Sequence, residues 1–228
     1  MYRVTRLIQK NISPENFICK NNVFFRINED IVQGFTIKRK YYPKGPVYTI
    51  NFTIYPLCYP DALFYNFEFE GQDIGFLMSP IRYWPFDAIS GFSFQYEEYV
   101  QEILQALRIY LFPYFEKYHN CKSISDGITD VNGINDLSLE AAYYHLRAGK
   151  RDAAIWGIRN LQNLRKEADE QNARDGIFPA NPSSRAAIDE KLRNLYDFFS
   201  FAPEQEIQEY ILANERRATE FLQKNSNS

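Results

Sequence analysis

Histidine, methionine and cysteine are scarce in this chain, with two, two and three copies in 228 residues. A zinc site needs three or four nitrogen or sulfur ligands. His119-Asn120-Cys121 supplies two of them and no second pair stands at ligand spacing, so neither a metal nor another cofactor is expected. His145, between Tyr144 and Leu146, reads as a packed or surface histidine. Cys19, Cys58 and Cys121 are odd in number, far apart and without a CxxC pair, which suits buried thiols in a reducing compartment and predicts a cytoplasmic protein. No apolar run of signal-peptide length follows Met1–Arg6, and nowhere do about 18 apolar residues stand together, so no membrane span is expected. Also missing are a GxxxxGK[ST] phosphate loop, a GxGxxG turn after a strand and a GxSxG nucleophile elbow. The acidic stretch from Asp126 to Gly133 resembles a calcium loop only in composition. With Gly133 at the sixth position, the ligand positions 1 and 12 fall on Ile128 and Leu139, which have no side-chain oxygen.

What is abundant is aromatic surface: 19 Phe, 17 Tyr and 2 Trp, 17% of the chain. That share is enough for a large core, and tyrosine also suits binding surfaces. The net charge of −3 is unevenly spread, at +6 over residues 1–60, −9 over 61–140 and zero beyond. A nucleic-acid binder would be basic overall. Only Lys38-Arg39-Lys40, beside Tyr41 and Tyr42, carries that pattern locally, and charges at strand ends also guard sheet edges.

Residues 46–56 alternate strictly, with Tyr48, Ile50, Phe52 and Ile54 on one face. Upstream, Ile31, Gln33, Phe35 and Ile37 do the same, across a turn at Tyr41–Gly45. Pairing Ile37 with Ile50 and Phe35 with Phe52 aligns the apolar rows, and a one-residue slip would not. Val23, Phe25 and Ile27 predict a third strand joined through Asn28–Asp30, with Arg26 on the face opposite to Gln33. Candidate strands follow near Leu63–Phe69 and Ile74–Ile81, and a short helix precedes them all. From Tyr96 to Leu111 the apolar period becomes helical, with Ser93 as N-cap, and Pro113 should end or kink that helix. Further helices are expected over Leu139–Ala148, from Asp152 (as cap) to about Ala168, Ser184–Ser200 and Pro203–Gln223, with Pro203 at the first position. The first two, across Gly149, read as a single αα-hairpin, since no second copy follows at a repeat period.

The predicted fold class is therefore α+β: an antiparallel meander of three to five strands covered by an amphipathic helix, then a helical region of about four helices. A boundary near residue 122 divides a sheet region, 1–122, from a helical region, 123–228, with packing of the helices back onto the sheet as one unit the other reading.

Phe25-Arg26, Asp30-Ile31-Val32-Gln33, the strand Tyr48–Ile54, Arg82-Tyr83-Trp84 and the helix ending in Leu111-Phe112-Pro113 stand in an order that resembles an uncharacterised bacterial family, catalogued as domain of unknown function 4304. The resemblance covers about residues 1–122. It implies an α+β fold and a bacterial source, and supplies no activity.

Two features invite a binding role. Arg82-Tyr83-Trp84-Pro85-Phe86-Asp87 places a planar cation, two aromatics and a carboxylate in one loop, suited either to stacking and bidentate recognition or to plugging the sheet–helix seam around an Arg82–Asp87 ion pair. Gln33, on an apolar strand face, must find polar partners. Glu97 and Glu98 need only the helix N-terminus they stand at. The expectation is a non-enzymatic protein-interaction module, immunity- or inhibitor-like, whose acidic middle meets a basic protein partner. The alternative is a small-anion-binding or catalytic pocket at the sheet–helix seam using Arg82, Tyr83, Trp84, Asp87 and Gln33.

Overall fold

Alternating β-branched and aromatic residues give two long strands, β3 (Ile31–Tyr42) and β4 (Gly45–Pro56), paired antiparallel along their whole length. The computed structural model describes residues 2–20, 22–42, 45–60, 72–78, 84–85, 95–128, 137–177 and 182–226. Ile37 faces Ile50 and Phe35 faces Phe52, as the apolar rows predict. β2 (Val23–Asn28) flanks β3, and β1 (Ile18–Lys20) flanks β2. The outer edge of β4 carries two short strands, β5 (Gln72–Asp73) and β6 (Trp84–Pro85).

Two expectations about the sheet are corrected here. β2 turns into β3 through Glu29 and Asp30 alone, with Glu29 at φ 50°, so Phe24 faces Phe35 and Arg26 faces Gln33. Directly opposed residues share a face, so Arg26 and Gln33 lie together rather than apart. The alternation of Val23, Phe25 and Ile27 misleads because both faces of the sheet are covered. The candidate strand Ile74–Ile81 begins instead as a 3-10 turn, Ile74–Phe76, started by the Asp73 carboxylate accepting from Gly75 N–H at 2.9 Å. Residues 79–81 and the candidate strand Leu63–Phe69 lie outside the described residues.

One face of the sheet (Phe24, Phe35, Ile37, Ile50, Phe52, Ile54) is sealed by α1 (Tyr2–Asn11) and by a long interrupted helix. That helix runs as α2 (Gln95–Ala106), a π turn (Leu107–Leu111) and α3 (Phe112–Lys117). Pro113 does not end it. The π turn, closed by Phe112 N–H to Leu107 O, resets the helix so that Pro113 falls in the first turn of α3, where no N–H is needed. The other face (Val23, Phe25, Val32, Tyr55) packs against Ala218 and Leu222 of the C-terminal helix, α8 (Glu204–Ser226).

Between these come α4 (Cys121–Asp126), capped reciprocally by Asn120 and Ser123, and α5 (Leu139–Arg147), capped by Ser138. α6 runs over Arg151–Arg174 and α7 over Pro182–Phe201. Gly149 at φ 77° turns α5 into α6, a backbone state in which a side chain is strained. Asp152 lies inside the first turn of α6 and Lys150 occupies the cap, and the helix extends to Arg174 rather than stopping near Ala168. Pro203 precedes α8, with its carbonyl accepting from Ile207 N–H at 3.2 Å. Among the described residues, no helix is long and apolar enough to cross a membrane.

Candidate functional site

Of the residues singled out in the sequence, Trp84 has its backbone paired with Tyr48 in β6. Arg82, Tyr83 and Asp87 lie outside the described residues, as do Ser93 and positions 129–136 of the acidic stretch. Gln33 is fully buried, and both its donors are spent: Nε2 donates to Phe115 O at 2.6 Å and to Tyr118 O at 3.0 Å. These are carbonyls at the end of α3 that the helix leaves unpaired. Its Oε1 accepts from Arg26 Nε at 2.8 Å. Arg26 also donates to Glu15 O and pairs with Glu116 at 2.7 Å, with its guanidinium 4.9 Å from the centre of the Phe17 ring. Gln33 and Arg26 thus rivet helix to sheet.

The polar chemistry gathers around α5 instead. Asp30, from the β2–β3 turn, accepts from Cys121 N–H at 2.8 Å, an orphan donor at the start of α4, and reaches Arg147 at 3.5 Å. Arg147 also pairs with Glu215 of α8, so one guanidinium joins the sheet turn to the last helix. Tyr144 Oη donates to Ile54 O at 2.8 Å and stands 3.4 Å from Glu140 Oε1. Burial pushes the Glu140 carboxyl up to about 8, so it holds its proton at neutral pH. Burial likewise raises Tyr59, to about 12, and lifts the Cys121 thiol well above its ordinary value, in contact with Cys58. Such thiols are weak nucleophiles. Ser125 Oγ and His145 Nδ1 lie 2.7 Å apart and both are buried, clasping α4 to α5. On the surface beside them, Asp126 is held below its usual range by hydrogen bonds from Lys150 and Lys122. His119 Nδ1 lies 3.0 Å from the Glu116 carbonyl, and among the described residues no three His, Cys, Asp or Glu side chains gather as metal ligands.

Two open features lie in the helical half. The first is a cleft of about 400 Å³ between α5, α7 and α8, lined by Pro60, Ala187, Leu195 and Phe198 and by Tyr143 and Tyr210, whose hydroxyls lie 2.8 Å apart. Glu190, Lys191 and Asn194 supply its polar groups.

The second is the α6–α7 hairpin. Its base is anchored: Ala154, Gly157, Ile158, Leu192 and Phe199 are buried, and Arg151 donates to Phe199 O and Ala202 O at the end of α7. Beyond that base, no described residue from Arg159 to Lys191 is buried. Sixteen helical residues, Arg159–Arg174, reach about 24 Å. The two helices are cross-braced by Arg165 to Asp189 at 2.7 Å and by Arg185 to Asp169. Trp156, Leu164, Ile177 and Ile188 stand exposed along this arm.

Neither feature was visible in the sequence. The cleft assembles positions 60, 143, 187–198 and 210, and the exposed apolar residues of the arm look locally like core positions. A weak signal did exist: the polar stretch Asn160–Gln171 carries too few apolar residues to bury a face. Comparison with family models, with curated proteins and with solved structures found no match to this chain.

Proposed function

We propose that this chain works by recognition, as a non-enzymatic interaction module whose protein partner is gripped along the α6–α7 arm. One observation carries the reading: a cross-braced helical hairpin projects beyond its buried base and holds Leu164 and Ile188 exposed in a charged surround, with Trp156, 55% exposed, at the base itself. Exposed tryptophan and aliphatic anchors within a polar rim are the usual composition of an interface centre. The acidic bias lies in residues 61–140, away from the neutral arm, and favours a basic partner that reaches beyond it, in an immunity- or inhibitor-like role in the cytoplasm. The family resemblance of residues 1–122 is compatible and adds no activity. The alternative pocket at the sheet–helix seam gains no support from Gln33, whose amide is already spent on α3 and Arg26.

The test is affinity capture from the native host at moderate salt, comparing the wild type with a folded Trp156→Ser, Leu164→Ser, Ile188→Ser triple variant. A stoichiometric protein partner that is lost with the variant supports the reading. A partner retained by the variant, or none with either protein, overturns it.

A further inference from the structure

Two of the three cysteines meet at the seam between the sheet and the helices. Cys58 follows the end of β4 and Cys121 opens α4, far apart in the chain, and both are fully buried. One residue brings them together. The Asp30 carbonyl accepts from Leu57 N–H at 2.9 Å, which extends the β3–β4 ladder to the residue before Cys58. The same carbonyl lies 3.6 Å from Cys121 Sγ, and the Asp30 carboxylate accepts from Cys121 N–H at 2.8 Å. Cys58 Sγ lies 3.8 Å from the Tyr143 carbonyl of α5, and the two thiols are in hydrogen-bonding contact with each other.

A pair of thiols in contact can share a metal ion or be joined as a disulfide. A metal needs further ligands. The carboxylate beside the pair, Asp30, is spent on Cys121 N–H and Arg147, and among the described residues no three candidate ligands gather. A disulfide needs only the second sulfur, within reach and without large backbone movement. Burial keeps the Cys121 thiol protonated, so the pair stays reduced until an oxidant persists. Access comes by local opening. Both cysteines stand at the ends of elements, and α4 is only six residues long, so they can be exposed at a lower free energy than global unfolding.

We infer that Cys58 and Cys121 are joined by hydrogen peroxide into a reversible disulfide that locks the end of β4 to the start of α4. One thiol takes an oxygen from the peroxide, breaking its O–O bond, and becomes a sulfenic acid as water leaves. The other thiol attacks that sulfur, its proton departs with the hydroxyl as a second water, and the S–S bond forms. The thiols together lose two electrons and two protons, and the peroxide is reduced to two molecules of water. The bond closes the long loop between the two cysteines, which restricts the unfolded chain. Cys19 takes no part, since it stands in β1 with β2 and β3 between it and β4. This inference stands apart from the arm's partner and holds or fails without it.

The experiment treats the full-length protein with excess hydrogen peroxide, blocks the remaining thiols by alkylation and maps its peptides by mass spectrometry without reductant. A linked pair of peptides carrying Cys58 and Cys121 is expected, lighter by two hydrogens than the free peptides together. Dithiothreitol should release it, and Cys19 should remain unlinked. The treated protein should melt about 5–15 °C higher than the untreated protein, a shift that reduction removes. Cys19→Ser should keep that shift, whereas Cys58→Ala and Cys121→Ala should each abolish it. Because the alanine variants also empty buried volume, each is compared with its own untreated sample, and the peptide map of the wild type stands without them. Absence of the linked peptides, Cys58 or Cys121 joined as readily to Cys19, or a linked protein that melts no higher would overturn the inference.

Discussion

The sheet and the α6–α7 arm are built to opposite rules. Both faces of the sheet are covered, by α1, α2 and α3 on one side and by α8 on the other, and even its buried polar residue, Gln33, is saturated with partners. The arm buries only its base and is held beyond that by ion pairs on half-exposed side chains. Burying apolar surface stabilises in proportion to its area, about 25 cal/mol per Å². Exposed ion pairs contribute little. Stability is therefore concentrated in the covered sheet and in the buried helical core around Tyr143, Ile158, Phe199 and Ile211, while the arm beyond its base is left for a partner. A segment that contributes little to folding is free to be shaped by what it binds.

Substitutions can break this contrast, and the largest effect should come from the core. Phe35 is fully buried, stacked on Phe24 at 4.6 Å and edge-on to Phe17 at 5.3 Å. Phe35→Ala should cost about 3–5 kcal/mol in urea denaturation, the usual range for emptying a phenyl site. Next comes Gln33→Leu, which leaves the Phe115 and Tyr118 carbonyls without their donor and Arg26 without its acceptor. A loss of about 1–3 kcal/mol is expected, and a double-mutant cycle with Arg26→Met should show that the two residues are coupled.

The third effect depends on pH. Glu140 is raised from 4.5 to about 8 in the folded state, so folded protein keeps a proton that unfolded chain has released. Its contribution is fully present below 4.5, falls as pH rises from there to about 8, and levels off above. The slope is at most about 1.4 kcal/mol per pH unit. Glu140→Gln should flatten Tm against pH across that window and stabilise the protein most at its alkaline end. An unchanged profile would mean that the carboxyl is solvated. The smallest effect is expected on the arm itself. Arg165→Ala breaks the contact with Asp189 and should cost less than about 1 kcal/mol. A larger loss would show that the arm belongs to the cooperative core.

The same contrast explains what the sequence made legible. The β3–β4 register was readable because twelve paired positions on each strand carry two consistent rows, and a slip would have exposed one of them. Arg26 was misplaced because β2 buries apolar residues on both faces, so alternation could not say which row meets Gln33. Pro113 misled because a π turn, which has no sequence period of its own, absorbs it. α6 was read as the second helix of the αα-hairpin across Gly149, and its far half was not recognised as an arm because local pattern reports helix but not what the helix lies against. The cleft draws on positions 60 to 210, a conjunction that only tertiary packing creates.

The most direct test of where recognition occurs is to place a photo-crosslinking amino acid at one position per preparation. Leu164 on the arm is compared with Ile27, exposed on β2 of the sheet, in host lysate at matched expression. The account predicts a discrete crosslinked protein species from position 164 and none from position 27. Crosslinks from position 27 with none from 164 would place recognition on the sheet and contradict it.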